Sequence, residues 1–230
     1  NEEAEITPIT TTNYQLLSAL TSNQNWYWRI SSYDKAGNFN TSDVFVYLPD
    51  VDAPDITLLT ANDTYSNSLT AVLSYSVNDF LNVSNCSLII NGIVNHTNYS
   101  IQKIVSQNFS VTFGSDQGFN WSIRCYDEAG NFNITENRTY TIDTNQPAAF
   151  YLISPVNYTI TNNQVPLLDW SSSSDTNFNN YTIWIDDNAD FGSVEYDYYT
   201  YSSLDSYYQI VSGLPEGIWN WRVAAYDKAG

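Results

Sequence analysis

A chain of 230 residues with 25 acidic and only 7 basic side chains carries a net charge of −18, a field that repels phosphate backbones and anionic headgroups and excludes nucleic acid as a partner. Charged residues make up 14% of the chain against 43% apolar and 16% aromatic. An ordinary soluble domain has about 25% charged residues, so Asn, Ser, Thr and Tyr must cover this surface, and no run approaches the roughly 18 apolar residues of a membrane-spanning helix.

The first predicted elements lie in the phrase Trp26-Tyr27-Trp28-Arg29-Ile30-Ser31-Ser32-Tyr33-Asp34-Lys35-Ala36-Gly37-Asn38. It recurs from Asn120-Trp121 to Tyr126-Asp127-Glu128-Ala129-Gly130-Asn131, and again from Trp219 through Trp221 to Tyr226-Asp227-Lys228-Ala229-Gly230. Trp28, Trp121 and Trp221 stand 93 and 100 residues apart, the size of one β-sandwich rather than of a solenoid repeat. In each copy the Trp run reads as a strand whose tryptophans, alternating with smaller residues, fill the space between two sheets. Tyr-Asp-x-Ala-Gly then makes a turn: Gly37 and Gly130 supply the positive φ, and the Asp side chain accepts from the backbone N–H groups ahead of it.

Further along, alternating strands are expected at Val44 to Leu48, Ile56 to Leu59, Leu69 to Val77, Cys86 to Ile90, Phe109 to Phe113 and Trp121 to Cys125. After them come Tyr140 to Ile142, Phe150 to Ile153, Tyr181 to Ile185 and Trp219 to Ala225. No segment carries a helical stripe, so the class is all-β, a tandem of Ig-like and fibronectin-III-like β-sandwiches. Linkers at Pro49-Asp50-Val51-Asp52-Ala53-Pro54 and Asp143-Thr144-Asn145-Gln146-Pro147 divide it. Residues 1–50 match the later part of a sandwich repeat, 51–144 a complete Ig-like domain, and 145–230 a fibronectin-III-like domain lacking its last strand. The edge beside Trp219 to Ala225 is then expected to be completed by continuation of the polypeptide, with strand addition from a neighbour as the alternative.

The pieces Asn85-Cys86-Ser87-Leu88-Ile89-Ile90-Asn91-Gly92 with Cys125-Tyr126-Asp127, and Ile185-Asp186-Asp187-Asn188-Ala189-Asp190-Phe191 with Trp221 to Asp227, resemble the immunoglobulin-like and fibronectin-type-III-like repeats of prokaryotic cell-surface glycoproteins. The likeness extends to S-layer-type proteins, archaeal ones especially, and implies an extracellular setting. In the run Leu214-Pro215-Glu216-Gly217-Ile218-Trp219, the tryptophan stands where fibronectin-type-III-like domains carry a corner Tyr, and its indole N–H is expected to tie back to the backbone.

The two cysteines, Cys86 and Cys125, fall on what should be adjacent strands of one sheet, where the third repeat has Tyr181 and Ala225. A disulfide there implies an oxidising compartment; two buried thiols are the other reading, and a metal site from both cysteines with His96 has too few ligands. Twelve Asn-x-Ser/Thr sequons are present, about twice the number that chance gives for this composition. N-glycosylation is expected at Asn62, Asn108, Asn120 and Asn157, and also at Asn40, Asn95, Asn133 and Asn180.

Acidic groups gather at Asp50/Asp52/Asp55, at Asp143 and at Asp186/Asp187/Asp190. No organic cofactor is expected. Asp50, Asp52 and Asp143 in the linkers are candidate Ca²⁺ ligands, since hard cations collect carboxylate oxygens; solvated loop carboxylates are the plainer reading. Tyr196, Tyr198, Tyr199 and Tyr201 belong to a stretch with more aromatics than one sheet face buries, and are candidate partner contacts. With one His, inside the sequon Asn95-His96-Thr97, and no base-nucleophile arrangement, the sequence points away from an enzyme. The expected function is an extracellular structural repeat protein of a surface layer, stalk or filament that partners itself and carries covalent glycans. A carbohydrate-binding or adhesive module is the alternative, and accessory domains of a secreted hydrolase come third.

Overall fold

The computed structural model describes residues 19–21 and 23–230, and every regular element in it is a β-strand. The part of the 1–50 segment before residue 19, and residue 22, lie outside the described residues. No helix among the described residues is long and apolar enough to cross a membrane.

Among the described residues four short strands come first: β1 (Trp26–Trp28), β2 (Ser31–Tyr33), β3 (Phe39–Thr41) and β4 (Phe45–Tyr47). They form two antiparallel ribbons, β1 with β4 and β2 with β3, in which Trp26 faces Tyr47 and Ser32 faces Asn40. Here the expectation of a core tryptophan fails for Trp28, which is 51% exposed and stacks on Phe45 at 5.0 Å. Among the described residues these ribbons have no facing sheet to bury it.

The middle sandwich comprises β5 (Asp55–Leu58), β6 (Thr64–Ser66), β7 (Thr70–Asn78), β8 (Val83–Ile90), β9 (Ile93–Asn98), β10 (Gln107–Thr112), β11 (Gln117–Asp127), β12 (Phe132–Ile134) and β13 (Arg138–Ile142). One sheet runs β10–β7–β5; the other runs β6–β13–β11–β8–β9, with β12 also on β11. The period-two pattern of β7 turns Ala71, Leu73, Tyr75 and Val77 inward, where they meet Leu88, Trp121, Ile123 and Ile142 from the opposite sheet. Phe119 faces Tyr140 and Cys125 faces Asn133, so the pairing of the first two ribbons recurs position for position. The sequence gives no sign that β6 joins β13 in parallel, Thr64 opposite Tyr140.

Inside this core the Tyr75 hydroxyl is buried and makes no hydrogen bond; burial pushes its pKa up to about 12, with the Asn98 side chain pulling weakly the other way. Removing an unsatisfied buried hydroxyl should not cost stability, so Tyr75→Phe is expected to hold or raise the unfolding free energy, by up to about 1 kcal/mol. The unfolded phenol ionises near 10 and the folded one near 12, so in this window the folded state holds the extra proton and stability falls as pH rises. Urea titrations across pH 9 to 12 should show that component in the wild type and not in Tyr75→Phe; identical alkaline slopes would contradict it.

The third sandwich has β14 (Leu152–Ser154), β15 (Leu167–Trp170), β16 (Phe178–Asp186), β17 (Tyr196–Thr200), β18 (Tyr207–Gln209) and β19 (Asn220–Asp227). Sheets β14–β15–β18 and β17–β16–β19 enclose Leu168, Trp170, Tyr181, Ile183, Ile185, Ile210 and Leu214. Tyr181 sits opposite Ala225 and fills the space that pairing leaves, with Trp170 at 5.4 Å and Phe178 at 4.9 Å. The second edge of β19 carries no strand among the described residues.

Candidate functional site

The recurrent turn is built as its residues dictate. Gly37, Gly130 and Gly230 have φ of 90°, 93° and 106°, in the left-handed region where a Cβ is strained. Asp34 Oδ1 accepts from the Ala36 and Asn38 N–H groups, both at 2.9 Å, and Asp127 Oδ1 accepts from the Asn131 N–H at 2.8 Å. In the third copy Asp227 Oδ1 takes the N–H groups of Ala229 and Gly230, each at 2.8 Å. The Asn38 side-chain amide, followed by its backbone N–H, holds the Asp34 carboxyl below its ordinary pKa. The corner tryptophan also forms its tie: Trp219 Nε1 donates to Pro215 O at 2.9 Å, and Trp26 Nε1 donates to Thr21 O at 2.9 Å in the first copy.

What the sequence did not reveal is that the second and third turns reach back to the linker that precedes their sandwich. Asp127 places a carboxylate oxygen within 4.8 Å of one from Asp50 in the first linker and of one from Asp79 after β7. One hundred residues on, Asp227 does the same with Asp143 in the second linker and with Asp175. The turns are pinned alike, since the Glu128 N–H donates to Asn82 O at 3.0 Å and the Lys228 N–H to Asn177 O at 2.9 Å. Side-chain amides complete the junctions: Asn131 Nδ2 donates to Asp50 O at 3.2 Å and to Asp127 Oδ2 at 2.8 Å, and Asn177 Nδ2 donates to Asp143 Oδ2 at 2.6 Å. Burial, then the charges of Asp50 and Asp127, raise the Asp79 pKa, as crowded carboxylates require. Lys228 adds a contact across the second junction, its ammonium 5.0 Å from the Tyr65 ring centroid.

Of the linker residues singled out as Ca²⁺ ligands, Asp50 and Asp143 therefore enter carboxylate clusters. Asp52 does not; it accepts from the Asn23 side-chain amide instead. Asp79 and Asp175 were missed since neither lies in a linker.

Cys86 and Cys125 form a disulfide between directly opposed residues of β8 and β11, with Cα atoms 4.1 Å apart. Among the sequons, Asn40, Asn62, Asn95, Asn108, Asn120 and Asn157 are exposed. Asn180 is not: it is 7% exposed, and its amide donates to Thr182 Oγ1 at 3.1 Å, since it precedes Tyr181 where β16 is covered on both faces. Asn133 is exposed, but its Nδ2, the atom to which a glycan attaches, donates to Pro54 O at 3.1 Å and braces the first linker.

The tyrosine stretch divides by strand parity. Tyr196 and Tyr198 are half-buried against the core, Tyr196 6.0 Å from the Trp219 ring and Tyr198 stacked on Tyr208 at 4.2 Å. They are packing residues rather than partner contacts. Only Tyr199 and Tyr201 of that set face outward; the Tyr199 hydroxyl donates to Asp197 Oδ2 at 3.0 Å, and that bond raises its pKa.

No family model matches the chain, and a search of curated proteins finds no match. Among solved structures, it is similar to the fibronectin(III)-like modules of CbhA from Clostridium thermocellum, with a TM-score of 0.54 at 14% identity over 76% of this chain and 87% of that one. The FN1–FN3 domains of chicken CNTN1 match with a TM-score of 0.45 at 9% identity, over 92% of this chain and 75% of theirs. The fold is thus that of tandem fibronectin-III-like β-sandwiches.

Proposed function

We propose that the chain serves as an extracellular, glycosylated, non-catalytic structural repeat of a cell-surface layer, stalk or filament of the S-layer type, assembling with copies of itself and taking up Ca²⁺ at its linkers. The observation that carries this reading is the repeated junction, in which a linker aspartate is gripped by the turn of the sandwich that follows it, Asp50 by the Asp127 loop and Asp143 by the Asp227 loop. A chain of flexible beads has no use for such bracing; a spacer of fixed reach depends on it. The disulfide supports an oxidising compartment, and the exposed sequons on a charge-poor surface support a glycan coat.

Small-angle scattering with added Ca²⁺ and with a chelator tests the junctions. An extended, narrow distribution of end-to-end lengths is expected with Ca²⁺, broadening on chelation and in the double variant Asp127→Asn, Asp227→Asn. A broad distribution under all conditions would defeat the spacer reading. Glycosylation is tested separately by intact mass of native material. Additions at Asn62, Asn95, Asn108, Asn120 and Asn157 are expected, whereas the bare polypeptide mass of 26.1 kDa would remove that part of the proposal. The exposed rings of Tyr199 and Tyr201 support an adhesive surface as the second reading; saturable glycan binding lost in Tyr201→Ala would favour it.

A further inference from the structure

The hairpin between β16 and β17 contains a buried charge that its protein neighbours leave uncompensated. Asp186, the last residue of β16, is 0% exposed. Its Oδ1 accepts from the Asn188 N–H at 2.7 Å, while its Oδ2 is buried with no hydrogen-bond partner. No Lys or Arg among the described residues pairs with it, for the one ion pair there joins Arg138 to Glu136. Arg222, on the neighbouring strand β19, lies over the rings of Trp184 and Phe191 at 4.7 and 4.3 Å instead. An isolated buried carboxylate is strongly unfavourable, so a positive charge is called for at this point.

The same loop gathers further negative charge beside Asp186. Asp187 and Glu195 each bring a carboxylate oxygen within 4.8 Å of one from Asp186 and of each other. Each carboxylate is oriented by the loop itself: Glu195 Oε2 takes the Asp187 N–H at 3.2 Å, and Asp187 Oδ1 takes the Asn188 side-chain amide at 2.5 Å. Three like charges held this close repel one another unless a cation lies between them.

We propose that Asp186, Asp187 and Glu195 form a binding site for a single hard divalent cation, Ca²⁺ in the first place. The donors are oxygen only, which suits Ca²⁺ and not the metals that prefer imidazole or thiolate. Two oxygens on one Ca²⁺, each at roughly 2.3–2.6 Å, stand at most about 5 Å apart, and the three carboxylates satisfy that limit. The flexible shell of Ca²⁺ also accepts an incomplete protein set, with water filling the remaining positions. Bound there, the ion joins the end of β16 to the residue before β17 and closes the hairpin. The site shares no residue with the linker clusters and does not depend on the linker reading.

The test is calcium titration of the chelator-treated chain by isothermal calorimetry, together with luminescence of Tb³⁺ excited through Trp184, two residues before Asp186. Wild type is expected to bind Ca²⁺ and to give sensitised Tb³⁺ emission that excess Ca²⁺ quenches. Glu195→Gln alters an exposed side chain and leaves the strands intact; it is expected to lose one bound Ca²⁺ per chain or to weaken that site by about tenfold or more. Asp186→Asn is expected to abolish this site and its share of the emission, while Asp127→Asn with Asp227→Asn, which alters only the linker clusters, keeps both. If Asp186→Asn does not fold, Glu195→Gln decides. Unchanged stoichiometry and affinity in Glu195→Gln, or no Ca²⁺ uptake by the wild type at millimolar concentration, would overturn the proposal.

Discussion

Replacing Cys86 and Cys125 together by alanine is expected to lower the stability of the middle sandwich by about 4 kcal/mol, the chain-entropy value for a bridge spanning this length of chain. The two residues are 39 apart in sequence and directly opposed on β8 and β11, so the bridge removes conformations chiefly from the unfolded chain. Against a net stability of roughly 5–15 kcal/mol for a domain, the loss is large enough to see at ambient temperature. The third sandwich supplies an internal control: it sets Tyr181 opposite Ala225 at that position and relies on ring packing. Calorimetry should therefore resolve one transition that a reductant shifts and one that it leaves in place. Two transitions equally indifferent to reductant would show that the bridge adds nothing.

Trp121→Ala is expected to be as damaging, at about 3–5 kcal/mol for a fully buried aromatic side chain. Trp121 lies between the two sheets with no exposed surface, and its indole N–H has no partner, so the loss is one of packing rather than hydrogen bonding. The equivalent residues grade the effect. Trp221 is half-buried at the edge of its core and should cost less, and Trp28, exposed on its ribbon, should fall within about 0.5 kcal/mol of neutral. Denaturant titrations of the three single variants give the order; equal losses would mean that burial does not govern it.

Local chemistry made most of the strands legible. Alternation in Ala71 to Val77 and in Phe119 to Cys125 marks an inward face directly, and Asp with Gly at fixed spacing specifies the turn, whatever surrounds it. Opposed Cys86 and Cys125 follow from two strands whose mutual register is fixed by a common core. The signals fail where position depends on a distant partner. Three-residue β6 carries no period of its own and exists through its pairing with β13. Trp28 has the composition of a core residue, yet burial needs a second sheet. Asn180 reads as a sequon, but its exposure is decided by how β16 sits in its sheet. Within the carboxylate clusters, Asp50 and Asp127 are separated by 77 residues, and no local pattern announces that they meet.

That separation gives the chain a direction of assembly. Upstream residues touch each linker, Asn23 at Asp52 and Asp116 at Thr144 and Asn145, but the linker carboxylates meet their clusters only in the sandwich downstream, Asp50 with the Asp127 loop and Asp143 with the Asp227 loop. During synthesis, as domains fold in order from the N-terminus, the carboxylate cluster at each joint stays incomplete until the whole next unit has emerged and closed. Rigidity consequently advances one unit behind the growing end, and every unit added brings the clasp for the joint before it.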